Sequence, residues 1–246
     1  MTVQALRARS VGELVDATFT LYRKDAPTYI MVAALASVPG LIAQLLFLGD
    51  GGIGQAMATI VSALMSMVTY SLMTGVIIRV GSDVYLGGSV DVQTAVREVL
   101  PRVGTLILVA IIKAFVLFFG ALFLGVGLFY AGSRWFAPEA AVVLENKNSS
   151  GSFSRCSELS NGRKWHIFRT LLLGYGIYFL LMIGVVAVTA VFESELVGLV
   201  TQTLFGVIGY PVIALLMMML YYDMRIRGEG FDVEHLSSAL GRVPAT

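Results

Sequence analysis

The sequence predicts an all-α polytopic membrane protein: six transmembrane helices in three hairpins, each hairpin preceded by a cytoplasmic amphipathic helix. Three observations carry that expectation. The 246 residues are 57% hydrophobic and 13% charged, where soluble domains carry about 25% charged residues, and the mean hydropathy is +0.82. The apolar residues fall in runs of the ~20 residues that cross a bilayer. Lys and Arg gather in the segments between alternate runs, and in a membrane protein that distribution matters more than a net charge of +1.

The chain reads as a single integral membrane domain, 1–246. Within 10–24, Ser10 and Glu13 have capping-box spacing. Val11, Leu14, Val15, Thr18, Leu21 and Tyr22 share one helical face, with Glu13, Asp16, Thr20, Arg23 and Lys24 opposite. That pattern predicts an interfacial helix lying on the membrane, its cations near lipid phosphates. Nothing at the N-terminus reads as a cleavable signal peptide, so the first apolar run is expected to act as a signal anchor. Pro27 suits the first turn of a new helix, and 26–48 forms the first span, kinked at Pro39-Gly40. After a polar turn at 49–54 comes the second span, 53–78, rich in small residues that let membrane helices approach closely. Arg79 and Asp83 mark its emergence, and Gly87-Gly88 stops it. A second amphipathic segment, 91–100, sets Val92, Ala95, Val96, Val99 and Leu100 opposite Gln93, Arg97 and Glu98.

From Val103 to Ala131 only Lys113 is charged, and those 29 residues are too long for one straight crossing. They form either one tilted helix or a span that turns near Gly120–Gly127 and returns through Arg134 to about Leu144. The runs that follow give spans at 167–192 and 196–222, the latter kinked at Pro211, and a tail at 223–246. The positive-inside rule selects the hairpin, with spans 103–122 and 125–144. Fifteen of the 17 Lys and Arg, all but Lys113 and Arg134, then fall in cytoplasmic pieces, and the external turns 49–54, 121–127 and 193–195 hold none. Both termini are therefore expected in the cytoplasm. The amphipathic segments 10–24, 91–100 and 152–164 each precede a hairpin, and "SVGELVDA" and "SVDVQTAV" start alike, which suggests a threefold parallel repeat.

Lys113 is expected about 15 Å along a helix from Val103, near mid-bilayer, where a bare charge costs about 2.5–3.5 kcal/mol. Its candidate partners are Glu139, Asp83 and Glu145. Two readings stand open. One is a Lys–Glu pair that fixes helix packing. The other is a cationic pocket of Lys113 and Arg134, with Glu139 and Asp83 nearby, that receives a lipid phosphate or an anionic substrate. Trp135 and Trp165 read as interfacial belt residues. The two histidines, His166 and His235, flank different spans, and no His/Cys/Asp cluster has metal spacing. The single Cys156 excludes an intrachain disulfide. No nucleophile–base pair is visible, so neither catalysis nor a cofactor is expected. The cations hug membrane boundaries, which argues against nucleic acid as a partner. In the tail, Asp223, Arg225, Arg227, Glu229 and Asp232 mix both signs, forming either an ordered cap or a docking strip for a protein.

The segment "YYDMRIRGEGFD" (221–232) closely resembles the tail of the bacterial membrane-domain family associated with glycerophosphoryl diester phosphodiesterases. "RSVGELVDATFTLYRKD" (9–25) is similar to that family's opening, "RWFAPEAAVVLE" (134–145) to its fourth-span signature, and "SRCSELSNGRKWHIF" (154–168) to its basic segment before span five. In the last, Ser157 stands where the family pattern has an aromatic. The resemblance implies a bacterial inner-membrane bundle. It does not imply phosphodiester cleavage, which in such enzymes belongs to a separate soluble barrel for which this chain has neither room nor residues. The functional expectation is a non-enzymatic structural or accessory subunit of a membrane assembly, or an organiser of lipid. The alternative is a transporter or binder of a lipid or small amphiphile. The expected partners are membrane lipids, above all anionic ones, then other membrane proteins or a second copy of the chain.

Overall fold

The computed structural model describes residues 7–46, 52–88, 91–122, 126–192 and 194–230, and the expectations on Asp232, His235 and the first half of the 49–54 turn lie outside them. All regular structure among the described residues is helical: α1 (Val11–Lys24), α2 (Ala26–Leu46), α3 (Ile53–Tyr85), α4 (Val92–Val99), a 3-10 turn at Leu100–Arg102, α5 (Val103–Leu122), α6 (Val126–Arg134), α7 (Pro138–Glu145), α8 (Ser149–Leu159), α9 (Lys164–Ala190) and α10 (Glu195–Glu229). Five stretches among these residues are long and apolar enough to cross a membrane: Ala26–Leu46, Thr59–Tyr85, Val92–Gly120, Lys164–Ala190 and Leu196–Glu229.

The expected span 125–144 is different. It is broken into α6 and α7, and neither piece is long enough to cross alone. Pro138 is the reason. Its ring would clash with the carbonyl four residues back, that of Arg134, and α6 ends there; Pro138 then occupies the first turn of α7. The break does not prevent the chain from doubling back. Gly127 sits so close to Gly120 that a Cβ on it would lie 2.5 Å from the Gly120 carbonyl oxygen. Arg102, at the start of α5, donates to the Val143 carbonyl near the end of α7 at 2.9 Å.

Capping chemistry sets several boundaries. The Ser10 hydroxyl accepts from the Glu13 N–H, and the Ser10 N–H donates to the Glu13 carboxylate at 2.8 Å, which completes the box. That backbone donor, with Arg7 alongside, holds the Glu13 carboxyl down at about 2. Asp91 accepts from the Gln93 N–H at the start of α4, and Gly87 leaves α3 with φ +85°, a left-handed turn that suits glycine. Helix α10 ends at Gly230, also left-handed, so the first seven residues of the expected tail are a continuation of the helix.

Helix α1 does not offer its apolar face to lipid. Leu14, Val15, Ala17, Thr18 and Leu21 are buried, and α1 packs on α10 and α9. The Tyr22 hydroxyl donates to the Ile208 carbonyl at 3.1 Å, beside the turn where Pro211 withholds an N–H from the helix ladder. An amphipathic stripe reports only that one face is covered, and here protein covers it. The α4 and α8 faces are covered likewise, with Ala95, Val99, Cys156 and Leu159 buried.

Burial divides the molecule lengthwise. One half is a dense core of Val76, Ile77, Ile78, Val109, Phe136, Leu215, Met218 and Tyr221, joined by the buried faces of α1, α4 and α8. The other half turns large apolar side chains outward: Leu35 and Ile42 on α2, Ile60 and Leu64 on α3, Phe115 and Phe118 on α5, Leu180 and Ile183 on α9, Leu196 and Leu204 on α10. Soluble monomers rarely expose apolar patches beyond a few hundred Å². On α9 the stretch from the exposed Leu172 to the end of the helix at Ala190 is about 27 Å long at 1.5 Å per residue, close to a hydrocarbon core of about 30 Å.

Candidate functional site

Lys113 on α5 reaches Glu139 on α7, with Nζ 2.9 Å from Oε1 and 3.1 Å from Oε2. Both side chains are largely but not wholly enclosed, at 21% and 16% exposure. Pro138 puts Glu139 in the first turn of α7, where a carboxylate faces unpaired N–H groups. The pair borders a cavity of about 190 Å³ with Thr74, Tyr175, Tyr178 and Tyr210. Thr74, Glu139 and Tyr210 also border a second cavity of about 170 Å³, whose other polar lining is Ser66, Tyr70 and Ser71. A polar crevice therefore runs between α3, α5, α7, α9 and α10. The Thr74 and Tyr210 hydroxyls share a hydrogen bond of 3.1 Å, whereas those of Tyr175 and Tyr178 make none among the described residues.

Lys113 is the eleventh of the 20 residues of α5, and its ammonium lies beside Tyr175 and Tyr178, on either side of the midpoint of the apolar stretch Lys164–Ala190.

Arg134 and Asp83 do not join this pair. Asp83 lies 3.7 Å from Arg79 one turn back, and Arg79 also pairs with Glu98 of α4 at 2.6 Å. Arg134 points across to α8, where its Nε donates to the Ser157 hydroxyl at 3.0 Å, as does Trp135 Nε1 at the same distance. A single hydroxyl with two acceptor sites thus holds both side chains, which an aromatic at 157 could not do. The Arg134 guanidinium also donates to the Tyr130 hydroxyl at 2.8 Å, and the Lys164 ammonium stands 4.3 Å from the centre of the Tyr130 ring. Beside them Trp165 stacks on Phe168, Phe129 meets the first ring tilted and the second edge-on, and Arg169 lies over the Trp165 ring.

The expected tail strip folds inward. Asp223, 2% exposed, accepts from the Arg9 backbone N–H at 2.7 Å and from Arg227 at 2.7 Å. His166 Nε2 stands 3.2 Å from the same carboxylate but off the line of a hydrogen bond. Arg227 donates to the Arg9 carbonyl, and Arg163 to the Arg227 carbonyl at 2.7 Å. A second network joins Glu145 of α7, Arg155 of α8 and Arg225 and Glu229 of α10. Arg155 reaches Glu145 at 2.8 Å and Glu229 at 2.8 Å, and the Tyr221 hydroxyl donates to Glu145 at 2.7 Å. Arg225 lies 3.4 Å from Glu145 and 3.2 Å from Glu229. These contacts clamp the residues before α1, the α7–α8 corner, the start of α9 and the end of α10 into one cap. Cys156 is enclosed beneath it, and burial pushes its thiol up to about 12.

Two features were missed in the sequence. Four tyrosines, Tyr70, Tyr175, Tyr178 and Tyr210, converge on the crevice; the available signal was phenols inside otherwise apolar runs, where a hydroxyl needs a polar neighbour. The other is the meeting of Tyr130 and Arg134, one turn apart on α6, with Lys164, which is distant in sequence and joins them only when α6 packs on α9. No family model, no curated protein and no solved structure matches this chain.

Proposed function

We propose that this chain is a non-enzymatic integral membrane protein that organises lipid, or serves as a structural or accessory subunit of a membrane assembly, in the bacterial plasma membrane. The observation that carries this reading is where charge is used. Asp223, Glu145 and Glu229 are engaged by Arg9, Arg155, Arg225 and Arg227 inside the cap. The exposed cations Arg23, Lys24, Arg97 and Arg169, and the half-buried Lys164, make no ion pair among the described residues. What the bundle leaves for its surroundings is an apolar belt edged by cations, which is a lipid-facing surface rather than a reaction centre.

In this reading the chain crosses six times, with α6 and α7 as a broken fourth crossing and both termini cytoplasmic. Support comes from the Arg102–Val143 contact, which brings the end of α7 back beside the start of α5. Likewise Gly174 packs on Leu216, and Gly209 on Tyr178, as antiparallel α9 and α10 require. The resemblance to the phosphodiesterase-associated membrane domains points the same way. The test is purification of the chain from its native membrane in mild detergent, with mass spectrometry of what accompanies it. An enriched anionic lipid supports lipid organisation, and a stoichiometric protein supports the subunit form. A chain that carries neither refutes both.

The crevice favours a second reading, binding of a small amphiphile. Its two cavities adjoin Glu139, and the hydroxyls of Tyr175 and Tyr178 make no hydrogen bond there among the described residues. Lys113→Met separates the readings: intact assembly with lost ligand supports a binding crevice, and lost assembly with retained ligand supports a packing pair.

A further inference from the structure

We infer that Tyr130, Arg134, Lys164, Trp165 and Arg169 form a specific site for the phosphate of an anionic glycerophospholipid headgroup, at the capped end of the apolar belt. The inference rests on the lipid-facing reading above and assigns that reading one location.

Three physical features build the site. Arg134 and Lys164 converge on one exposed phenol. The Arg134 guanidinium donates to the Tyr130 hydroxyl at 2.8 Å, and the Lys164 ammonium lies 4.3 Å from its ring centre. Neither cation has a carboxylate within ion-pair reach among the described residues, and Arg169 has none either. Elsewhere at this end Arg79, Arg155, Arg225 and Arg227 are all matched with acids. Two neighbouring cations left unneutralised by the protein attract an anion, and a phosphate accepts from both at once.

The second feature is pre-organisation. Arg134, half-buried, is held by Ser157 through Nε, so its guanidinium is fixed in one orientation before any ligand arrives. Less ordering remains to be done on binding.

The third is height. Trp165 and Tyr130 are more than 45% exposed, at 57% and 46%, and Arg169 lies three residues before Leu172, where the exposed apolar run begins. Amphipathic rings with cations at such an edge sit at headgroup level. A lipid whose phosphate rests between Arg134 and Lys164 can lay its chains along the outward faces of Leu172, Phe179 and Leu180. A free phosphate would gain nothing from that apolar face, and this commits the site to a lipid.

The test uses the full chain in nanodiscs or mild detergent, titrated with phosphatidylglycerol and with phosphatidylcholine. Affinity is read by native mass spectrometry and by the rise in melting temperature. Phosphatidylglycerol is expected to bind at least tenfold more tightly than phosphatidylcholine. A juxtamembrane cation is worth about fivefold in binding, so K164Q/R169Q, which leaves the Arg134–Ser157 anchor intact, is expected to lose about 25-fold. R23Q/R97Q removes two exposed cations elsewhere and is expected to lose less than threefold. Equal losses in the two double variants mean diffuse attraction and overturn the site, while lipid organisation stands. Inorganic phosphate that displaces the lipid at millimolar concentration overturns the lipid assignment. A wild-type chain that prefers no anionic lipid removes the site and the lipid-organising reading together.

Discussion

Breaking the Lys113–Glu139 pair from one side should cost far more than removing both members. At 2.9 Å and an effective dielectric of about 20, the gross attraction is about 6 kcal/mol. Desolvating two charges cancels much of that. Removing one partner of a fully buried pair costs about 3–5 kcal/mol, and one bare cation in the apolar layer costs about 2.5–3.5 kcal/mol. The two side chains keep 21% and 16% exposure beside a crevice, which lowers the expectation to about 2–4 kcal/mol for either K113M or E139Q. The double variant K113M/E139Q leaves no lone charge and should cost less than about 1.5 kcal/mol. The assay is reversible unfolding in mixed micelles of a mild detergent and dodecyl sulfate, with midpoints and slopes compared across the cycle. Single-variant costs that add to within about 0.5 kcal/mol in the double would mean the two charges do not feel each other, and the pair would be a spectator of packing set by other contacts.

Other perturbations follow from contacts already described. Gly127→Ala drives a methyl into the Gly120 backbone, which cannot swing aside as a side chain could; overpacking of this kind costs about 1–3 kcal/mol. Gly132→Ala meets nothing within 4 Å and should be neutral or slightly stabilising by helix propensity, so equal thermal midpoints for the two variants contradict the α5–α6 packing. Cys156 is fully enclosed, with its thiol raised to about 12; maleimide should label it only after denaturation, and rapid labelling of the folded chain contradicts the packing of α8. Glu13 is depressed to about 2, so its contribution is present above the ordinary carboxylate value and fades as pH falls from about 4.5. Protection of the Ser10 and Glu13 amides, taken relative to their intrinsic exchange rates at each pH, should therefore fall between pH 4.5 and 2, and an E13Q chain should lack that dependence.

The elements that could be read from sequence are those whose causes are local. Ser10 and Glu13 declared the start of α1, Asp91 that of α4, and Gly87 the end of α3, because each acts within a few residues. The long apolar runs declared five helices of crossing length. The fourth expected span is two helices rather than one, and the signal for that was present: Pro138 marks the end of α6, yet high hydropathy on both sides masked it. Lys113–Glu139 could be anticipated because a lone charge in an apolar run needs a partner and few were available. Arg134 could not be placed, because its destination depends on a serine 23 positions away that becomes a neighbour only through the turn into α8. Helix α1 shows the limit of periodicity most clearly. The stripe of Leu14, Val15 and Leu21 was legible, but not whether lipid or protein lies against it.

The bond between Arg9 and Asp223 has a bearing on biogenesis. It joins positions 214 apart in the chain, so α1 is made well before α10, its main packing partner. At about 5–20 residues per second, roughly 10–40 seconds separate the two during synthesis. Through that interval the buried stripe of α1 has no α10 to rest against. A bilayer surface is the nearest apolar alternative, and an amphipathic helix binds there reversibly. The same residues thus serve two hosts in succession. An α1 held on lipid until Asp223 arrives would then pass to protein, and closure of the cap cannot precede the synthesis of α10.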